Sequence, residues 1–320
     1  MKAVVFDRTG GPEVLHIGEV ETPVPGPRQV LIKTAYAGIN FADIGRRTGL
    51  YNAPALPFVA GLEGSGSVEA VGADVTGIES GTQVMGWRAT TGSYAEYFVA
   101  DAEKVATIPT MVTLDEAAGI AQIFMTSWNA LVHRARLQPG ESILVQSAGN
   151  GAGIAAVQIG RYIGARVIGT ASNAAKLEAA KQAGADDLVN YLETDFEAEV
   201  ARLTEGRGVD VVLDGVGGET FTKGVRSLAP NGRILTLGFS GGNSTLSFHG
   251  FDLGRGSVVT SGSAGFSELP RAEFERVLEL FEQGVFKPVP TTVFPWTKAG
   301  AAQQSIEDRT AVGKVVLKVG

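Results

Sequence analysis

The sequence predicts an α/β protein in two parts: a doubly wound, six-stranded parallel sheet and a separate β-rich domain. The chain has 320 residues, which is long for a single hydrophobic core. Short β-branched and aromatic runs fill roughly the first third of the chain, and strand-like and helix-like segments alternate after it. Such alternation is typical of right-handed crossovers, which build a parallel sheet with helices on both faces.

The N-terminal part reads as short strands separated by turns. Its strand-like runs are "KAVVF", "VLIKTAYAGI", "GSGSVEAVG", "TQVMGW" and "YAEYFVA". Turn signals such as "TGGP" and "GADVTG" separate them. One helix is predicted at "NFADIGRRTG", where Asp43 and Arg47 are four residues apart and are expected to pair on one face.

The alternating part opens with a helix over "TLDEAAGIAQIFMTSWNALVHRA", because Thr113 and Glu116 have capping-box spacing. The six predicted strands are "SILVQS", "RVIGT", "DLVN", "VDVVLD", "RILTLG" and "SVVTSG". A further helix and the strand "GKVVLKV" finish the chain and are expected to return to the first domain. We therefore place the β-rich domain at 1–122 and 266–320, and the parallel sheet at 123–265.

Composition excludes several classes of protein. The 27 Lys and Arg against 34 Asp and Glu give a net charge of −7, which argues against a nucleic-acid partner. The chain has no cysteine, so disulfide scaffolds and cysteine-ligated zinc sites are excluded. No signal peptide or membrane-length apolar run is present. We expect a cytoplasmic protein without a membrane partner, and the apolar edge strand "SVVTSG" favours a homodimer.

A glycine-rich segment, "VQSAGNGAG", follows the first strand of the alternating part and leads into a helix. Gly149, Gly151 and Gly153 would let a phosphate approach the backbone amides at the helix N-terminus. The spacing is not GxGxxG, and a tight turn with close helix–sheet packing is the competing interpretation. Within a six-strand α/β region we predict a dinucleotide site.

The end of the second strand predicts which dinucleotide binds. NAD-binding proteins usually place Asp or Glu about 20 residues beyond the glycines. Here "VIGTASNAAK" has no carboxylate and offers Ser172 and Lys176 instead. A hydroxyl and an ammonium at a helix start suit a 2′-phosphate, so NADPH is predicted. The alternative is that Ser172 is only an N-cap and Lys176 a solvated helix residue.

The chain as a whole resembles the zinc-independent quinone oxidoreductases, the zeta-crystallin-like branch of the medium-chain dehydrogenase/reductase superfamily. The motifs that carry the resemblance are "GINFADIGRRTGLY", "PFVAGLEGSGSVEAVG", "LVQSAGNGAG", "GADDLVNY", "LDGVGG", "LGFSGG" and "GKVVL". The resemblance implies a GroES-like catalytic domain joined to a Rossmann domain, with the active site in the cleft between them.

The resemblance also implies roles for single residues. Asn40 and Tyr51 match residues near the nicotinamide and the substrate carbonyl, and Thr126 matches a threonine near the nicotinamide. Both Asn40 and Thr126 would thus contact cofactor as well as serve catalysis. The other implied cofactor contacts are the pyrophosphate loop Ala148, Gly149, Asn150, Gly151, Ala152 and Gly153, the 2′-phosphate pocket Ser172, Lys176 and Tyr191, and the nicotinamide loop Leu237, Gly238, Phe239 and Ser240.

Departures from the family pattern carry further expectations. Asn150 stands where the family usually has glycine, and asparagine tolerates left-handed backbone better than most residues. Gly45 replaces a common aromatic residue, which predicts a wider or differently shaped substrate pocket. Where zinc-dependent relatives carry cysteine and histidine, this chain has Asn40 and Leu62, so no metal is expected.

Several candidates also have a purely structural interpretation. Asn40 could cap the helix that follows it, and Glu63 could hold a turn between glycines. Tyr51 and Phe239 could be packing residues.

The expected activity is NADPH-dependent, metal-free reduction of a small molecule, a quinone or an α,β-unsaturated carbonyl compound. Such substrates accept hydride without a strong Lewis acid. Asn40 or Tyr51 would hydrogen-bond the developing oxyanion. Two alternatives stay open: a reductase specific for a 2-alkenal or an enoyl thioester, and an NADPH-binding sensor or structural protein with little turnover.

Overall fold

The structure is a computed structural model that describes residues 1–51, 54–87, 91–253, 258–261 and 268–320. The chain forms two compact units. The first unit contains Met1–Gln122 and Pro270–Gly320, and the second contains Ile123–Leu269. The domain boundary predicted between residues 265 and 266 lies outside the described residues.

The strands are numbered in chain order. They are β1 Lys2–Phe6, β2 His16–Glu19, β3 Gln29–Gly38, β4 Phe58–Val59, β5 Glu63–Val71, β6 Gln83–Trp87, β7 Tyr97–Asp101, β8 Val105–Thr107, β9 Ser142–Val145, β10 Arg166–Ala171, β11 Asp187–Asn190, β12 Val209–Asp214, β13 Leu228–Thr236, β14 Val258–Ser261, β15 Thr291–Pro295 and β16 Lys314–Lys318.

The α-helices are numbered in the same way. They are α1 Phe41–Thr48, α2 Leu114–Ala117, α3 Ala121–Trp128, α4 Gly151–Ile163, α5 Ala174–Gln182, α6 Phe196–Leu203, α7 Gly218–Arg226, α8 Arg271–Glu282 and α9 Ala299–Glu307. None of the described helices is long and apolar enough to cross a membrane.

The first unit is built on two sheets. The larger has the order β15-β16-β3-β5-β6-β8, with β7 also paired to β3, and the smaller has the order β2-β1-β4. Strand β16 pairs antiparallel with β3, so the end of the chain completes the sheet that its beginning starts, as the sequence predicts. The core between the strands contains buried side chains such as Ile32, Val84 and Phe98. Several of these strands have three or four consecutive buried residues, among them β1, β6 and β16, so both of their faces are covered.

The second unit contains the predicted parallel sheet. Its order is β11-β10-β9-β12-β13-β14, and every pairing recorded within it is parallel. From β9 the chain adds β10 and β11 on one side, and it then adds β12, β13 and β14 on the other side of β9. The loops after β9 and β12 therefore border the topological switch point, where doubly wound sheets bind ligands. Strand β14 forms the predicted edge, and the homodimer expected from that edge stays a prediction.

The helix predicted over residues 113–135 is interrupted. The capping box at its start is present, with the Thr113 N–H donating to Glu116 Oε2 at 2.9 Å. However, α2 ends at Ala117, α3 begins at Ala121, and a π-helical segment follows at Asn129–Arg134. A Cβ on Gly119 would stand 2.5 Å from Lys314 Cγ, so the break leaves room for a lysine from β16.

Candidate active site

The chain turns sharply where β9 ends. The Gln146 N–H still donates to Leu213 O of β12, at 3.1 Å. Ser147 then adopts a left-handed backbone with φ of 55°. Such a conformation costs a non-glycine residue about 1 kcal/mol or more. The Asn150 N–H closes the turn on Ser147 O at 3.0 Å, so α4 begins at the carboxyl end of β9.

Asn150 is the N-cap of α4. Its backbone is extended, with φ of −94°, and its Oδ1 accepts the Gly153 N–H at 2.8 Å. The expectation that connected this asparagine with left-handed backbone is therefore wrong, and capping explains the residue instead. The left-handed residue of the loop is Ser147, which the sequence analysis did not single out.

Two glycines of the loop are required by packing. A Cβ on Gly149 would overlap the Cβ of Lys176, in the first turn of α5. A Cβ on Gly153 would overlap the backbone oxygen of Ser147. The competing interpretation, a tight turn with close packing, thus describes these two positions. Close packing at Gly149 and Gly153 is compatible with phosphate binding, because it places the start of α4 at the switch point.

The N-terminus of α4 fits a pyrophosphate. The first-turn amides of Gly151 and Ala152 have no acceptor within the helix, and no acidic residue lies in that turn. Ser127 of α3 donates from Oγ to Ala152 O at 3.0 Å, which ties α3 to the loop. Thr126 precedes Ser127 and is half-buried. The backbone amides and the helix dipole both favour an anion here.

The predicted 2′-phosphate residues gather where β10 ends. The Tyr191 N–H donates to Ala171 O, at 3.1 Å, which brings the end of β11 beside Ser172. Asn173 is the N-cap of α5, and its Oδ1 accepts the Lys176 N–H at 3.0 Å. The alternative that Ser172 is the N-cap is therefore wrong. The side chains of Ser172, Lys176 and Tyr191 are all half-buried.

The predicted nicotinamide loop follows β13 and lies along the loop after β12. Its residues are Leu237, Gly238, Phe239 and Ser240, all half-buried. The Leu237 N–H donates to Asp214 O at 2.7 Å. Phe239 Cδ1 lies 2.9 Å from the position that a Cβ on Gly217 would take, so the ring covers this glycine. Phe239 is thus a half-buried packing residue at the switch point.

Asp214 ends β12 with a fully buried side chain. Its carboxylate accepts the N–H groups of Val216 at 3.1 Å and Gly217 at 2.9 Å. Burial raises the pKa of this carboxyl to about 6, although the two hydrogen bonds act in the opposite direction. Asp214 was not among the residues predicted from the sequence. The signal for it was an acid that closes an apolar strand before "GVGG".

In the first unit, Asn40 lies in a buried polar network. Its Nδ2 donates to Glu63 Oε1 at 2.9 Å, and its Oδ1 accepts from Lys314 Nζ at 2.7 Å. Lys314 Nζ also donates to Glu63 Oε1 at 2.7 Å, and the Gln122 N–H donates to Glu63 Oε2 at 2.9 Å. Glu63 begins β5, so the expectation that it holds a turn is wrong. Lys314 was missed, although it begins β16 and precedes three apolar residues.

Asn40 also caps α1, as its structural interpretation predicts. Its backbone N–H donates to Asp43 Oδ2 at 2.8 Å, and Tyr94 Oη donates to the same oxygen at 3.3 Å. Burial raises the pKa of Asp43 to about 6.

Arg47 does not pair with Asp43, in contrast to the prediction. It donates to Glu307 Oε2 at 2.6 Å, to Gln303 Oε1 at 2.7 Å and to the Gly10 carbonyl at 2.7 Å. Its side chain is fully buried and therefore takes the acceptors that α9 supplies.

Tyr51 fills the space beside Gly45. A Cβ on Gly45 would stand 2.5 Å from Tyr51 Cδ2, and the Tyr51 N–H donates to Gly45 O at 3.0 Å. The ring therefore occupies the place next to α1 that a larger residue at position 45 would take. The absence of an aromatic residue at position 45 does not by itself widen this region.

Comparisons with known proteins agree with this architecture. Residues 26–110 match the alcohol dehydrogenase GroES-like domain, and residues 151–283 match the zinc-binding dehydrogenase model. A GroES-like unit joined to a Rossmann sheet defines a medium-chain dehydrogenase/reductase.

Individual relatives show which family of medium-chain dehydrogenases/reductases the chain resembles. The quinone oxidoreductase of Pseudomonas aeruginosa is 33% identical over 99% of each chain. The structure of Escherichia coli quinone oxidoreductase complexed with NADPH covers 99% of this chain and 100% of that chain, at 30% identity and a TM-score of 0.92. The CurK enoyl reductase covers 100% of this chain and 99% of that chain, at 27% identity and a TM-score of 0.89. The chain belongs to the zinc-independent quinone oxidoreductase family of medium-chain oxidoreductases.

Proposed function

We propose that this protein is an NADPH-dependent reductase that transfers hydride to a quinone or an α,β-unsaturated carbonyl compound. The observation that carries the proposal is the pairing of two features at one sheet edge. The start of α4 offers amides to a pyrophosphate, and the end of β10 offers Ser172, Lys176 and Tyr191 where an NAD-specific protein has an acid. The NADPH complex of the E. coli relative supports the same cofactor.

The second unit binds and orients the cofactor. NADPH, when bound, supplies the hydride. The amides of Gly151 and Ala152 hold the pyrophosphate, and Lys176 neutralises the 2′-phosphate. The loop with Leu237 and Phe239 supports the nicotinamide at the switch point.

The first unit supplies hydrogen-bond donors for the substrate. Asn40 keeps one Nδ2 hydrogen beyond the one that it gives to Glu63. This N–H, or the hydroxyl of Tyr51, donates to the carbonyl oxygen as negative charge develops there.

Reduction of an enoyl thioester is the second candidate, and the similarity to CurK enoyl reductase favours it. The two candidates share the cofactor and the hydride transfer. They differ in the acceptor, so kinetics with both substrate classes separates them.

The test is cofactor oxidation, followed by the absorbance of the reduced nicotinamide, with panels of quinones, 2-alkenals, enones and enoyl thioesters. We expect turnover with NADPH on at least one conjugated acceptor, and much less with NADH. Binding of NADPH with no oxidation by any acceptor would contradict the proposal and favour a sensor or structural role.

A further inference from the structure

The side chain of Asn40 is hydrogen-bonded to two buried charged residues. Three polar groups meet: the Asn40 carboxamide, the Glu63 carboxylate and the Lys314 ammonium, with three mutual hydrogen bonds of 2.7 to 2.9 Å. The side chains of Glu63 and Lys314 are only 1% and 3% exposed, whereas Asn40 is half-buried. Asn40 is therefore the member of this trio that is most accessible from outside.

The two charges determine how the Asn40 carboxamide is oriented. An ammonium can only donate and a carboxylate can only accept. In the observed orientation Lys314 faces Oδ1 and Glu63 faces Nδ2. A rotation by half a turn would oppose two donors and two acceptors, and both contacts would be repulsive. The network thus selects one orientation, whereas a solvated asparagine adopts both.

The backbone makes room for this arrangement. A Cβ on Gly38 would stand 2.9 Å from both Cγ and Oε1 of Glu63. On the other side, a Cβ on Gly119 would stand 2.5 Å from Lys314 Cγ. Close backbone on two sides leaves the stems of Glu63 and Lys314 little space to change rotamer, so the charged groups are held where they fix the amide.

We propose that Lys314 is a positioning residue: together with Glu63 it holds the Asn40 carboxamide so that one Nδ2 hydrogen stays available to a substrate oxygen. This inference rests on the proposed function, because it names the group that orients the proposed donor. Lys314 itself touches Asn40 and Glu63 and acts through them.

A double-mutant cycle on kcat tests the inference. Asn40→Ala removes the donor and should lower kcat about 100-fold, whereas Lys314→Met removes the hydrogen bond to Oδ1, holds the amide less firmly and should lower kcat about 10-fold. If Lys314 acts through Asn40, the double variant should lose about 100-fold, the same as Asn40→Ala alone. A loss of about 1,000-fold, the product of the single effects, would overturn the inference.

Two further variants separate positioning from folding. Lys314→Met leaves Glu63 buried without its cation, which endangers the fold. Glu63→Gln combined with Lys314→Met removes both charges, and the same loss in kcat is expected because Oδ1 of Asn40 has lost its donor. Wild-type kcat in this variant would overturn the inference. Lys104→Met is the control, since Lys104 is another buried lysine of the first unit, 5.0 Å from the Trp87 ring centroid; its kcat should not change.

Two measurements do not depend on turnover. The dissociation constant for NADPH, measured by calorimetry, should be the same in Lys314→Met and the wild type. A crystal structure of Glu63→Gln combined with Lys314→Met, which lacks both charges that select the orientation, should show the Asn40 carboxamide turned from its wild-type orientation; an unchanged carboxamide would overturn the inference. If the wild type binds NADPH but reduces no acceptor, the proposed function fails, while this structure still decides the positioning role.

Discussion

Two carboxyl groups of this protein are buried, and burial destabilises their charged form. Asp43 is 3% exposed and Asp214 is fully buried, and burial raises the pKa of each to about 6. Each accepts backbone N–H groups at the start of a helix or loop, so each holds a turn in place. The stability of the protein should therefore depend on pH below neutrality.

Replacing Asp214 by Asn should reduce this pH dependence. The pKa of this carboxyl is 3.8 in an exposed chain, and burial raises the pKa to about 6 in the folded protein. Between these values the folded state holds a proton that the unfolded state has released. The stabilisation is complete below the lower pKa and is lost as pH rises through the higher one, about 3 kcal/mol in all.

The measurement is the free energy of unfolding in urea at several pH values from about 4 to about 7. In the wild type Asp214 should make it fall as pH rises, and in Asp214→Asn the fall should be shallower. Equal slopes for the two proteins would show that the Asp214 carboxyl has an ordinary pKa.

For single residues, the sequence predicted local motifs better than it predicted which residues contact each other in the fold. The glycine loop and the acid-free end of β10 are local features, so they could be read from spacing alone. The partner of Arg47 could not, because Glu307 lies 260 positions away and reaches it only in the folded unit. Asn150 lies at the start of α4, but its backbone conformation depends on the cap that it makes, which residue spacing does not show.

Among the elements, the strands followed the hydrophobic pattern more closely than the longest predicted helix did. All six strands of the parallel sheet lie where alternation predicted them. The break between α2 and α3 was not predicted, because the side chain that packs against it, Lys314, comes from the other end of the chain. Apolar periodicity continues through such a break and does not record it.

The packing of α5 on the glycine loop makes Gly149→Ala a sharp test at this scale. The new Cβ would overlap Lys176, so either the loop or α5 must move. We expect a loss of about 1–3 kcal/mol in the free energy of unfolding, because the added methyl overpacks the contact. NADPH binding should weaken as well, because α4 and Lys176 shift relative to each other.

Gly250→Ala is the matched control, because a Cβ there would meet no atom within 4 Å. It lies in the same unit and adds the same methyl group. The free energy of unfolding in urea and the dissociation constant for NADPH are measured for both variants. Equal, small effects of the two substitutions would show that Gly149 is not constrained by α5.

At the scale of the whole molecule, the chain ends are brought together within the first unit. Lys314 on β16 reaches Asn40, which is 274 positions earlier, because β16 pairs with β3 just before α1. The sequence contained both motifs, but only the sheet register shows that they meet. The fold class and the family could be predicted because motif order covers the whole chain. The acceptor could not be predicted, because the shape of a binding pocket is not encoded in the spacing of a motif.

We propose that the second unit selects NADPH through Lys176 and the loop after β9. Calorimetric titration of the wild type and of Lys176→Glu with NADPH and with NADH tests it directly, with Lys181→Glu as control because it makes the same charge change at an exposed site near the end of α5. A charged hydrogen bond to a phosphate contributes enough that Lys176→Glu should weaken NADPH at least about 10-fold. NADH binding and the control should change little. Equal wild-type affinity for NADPH and NADH, or equal loss of both in Lys176→Glu, would contradict the account.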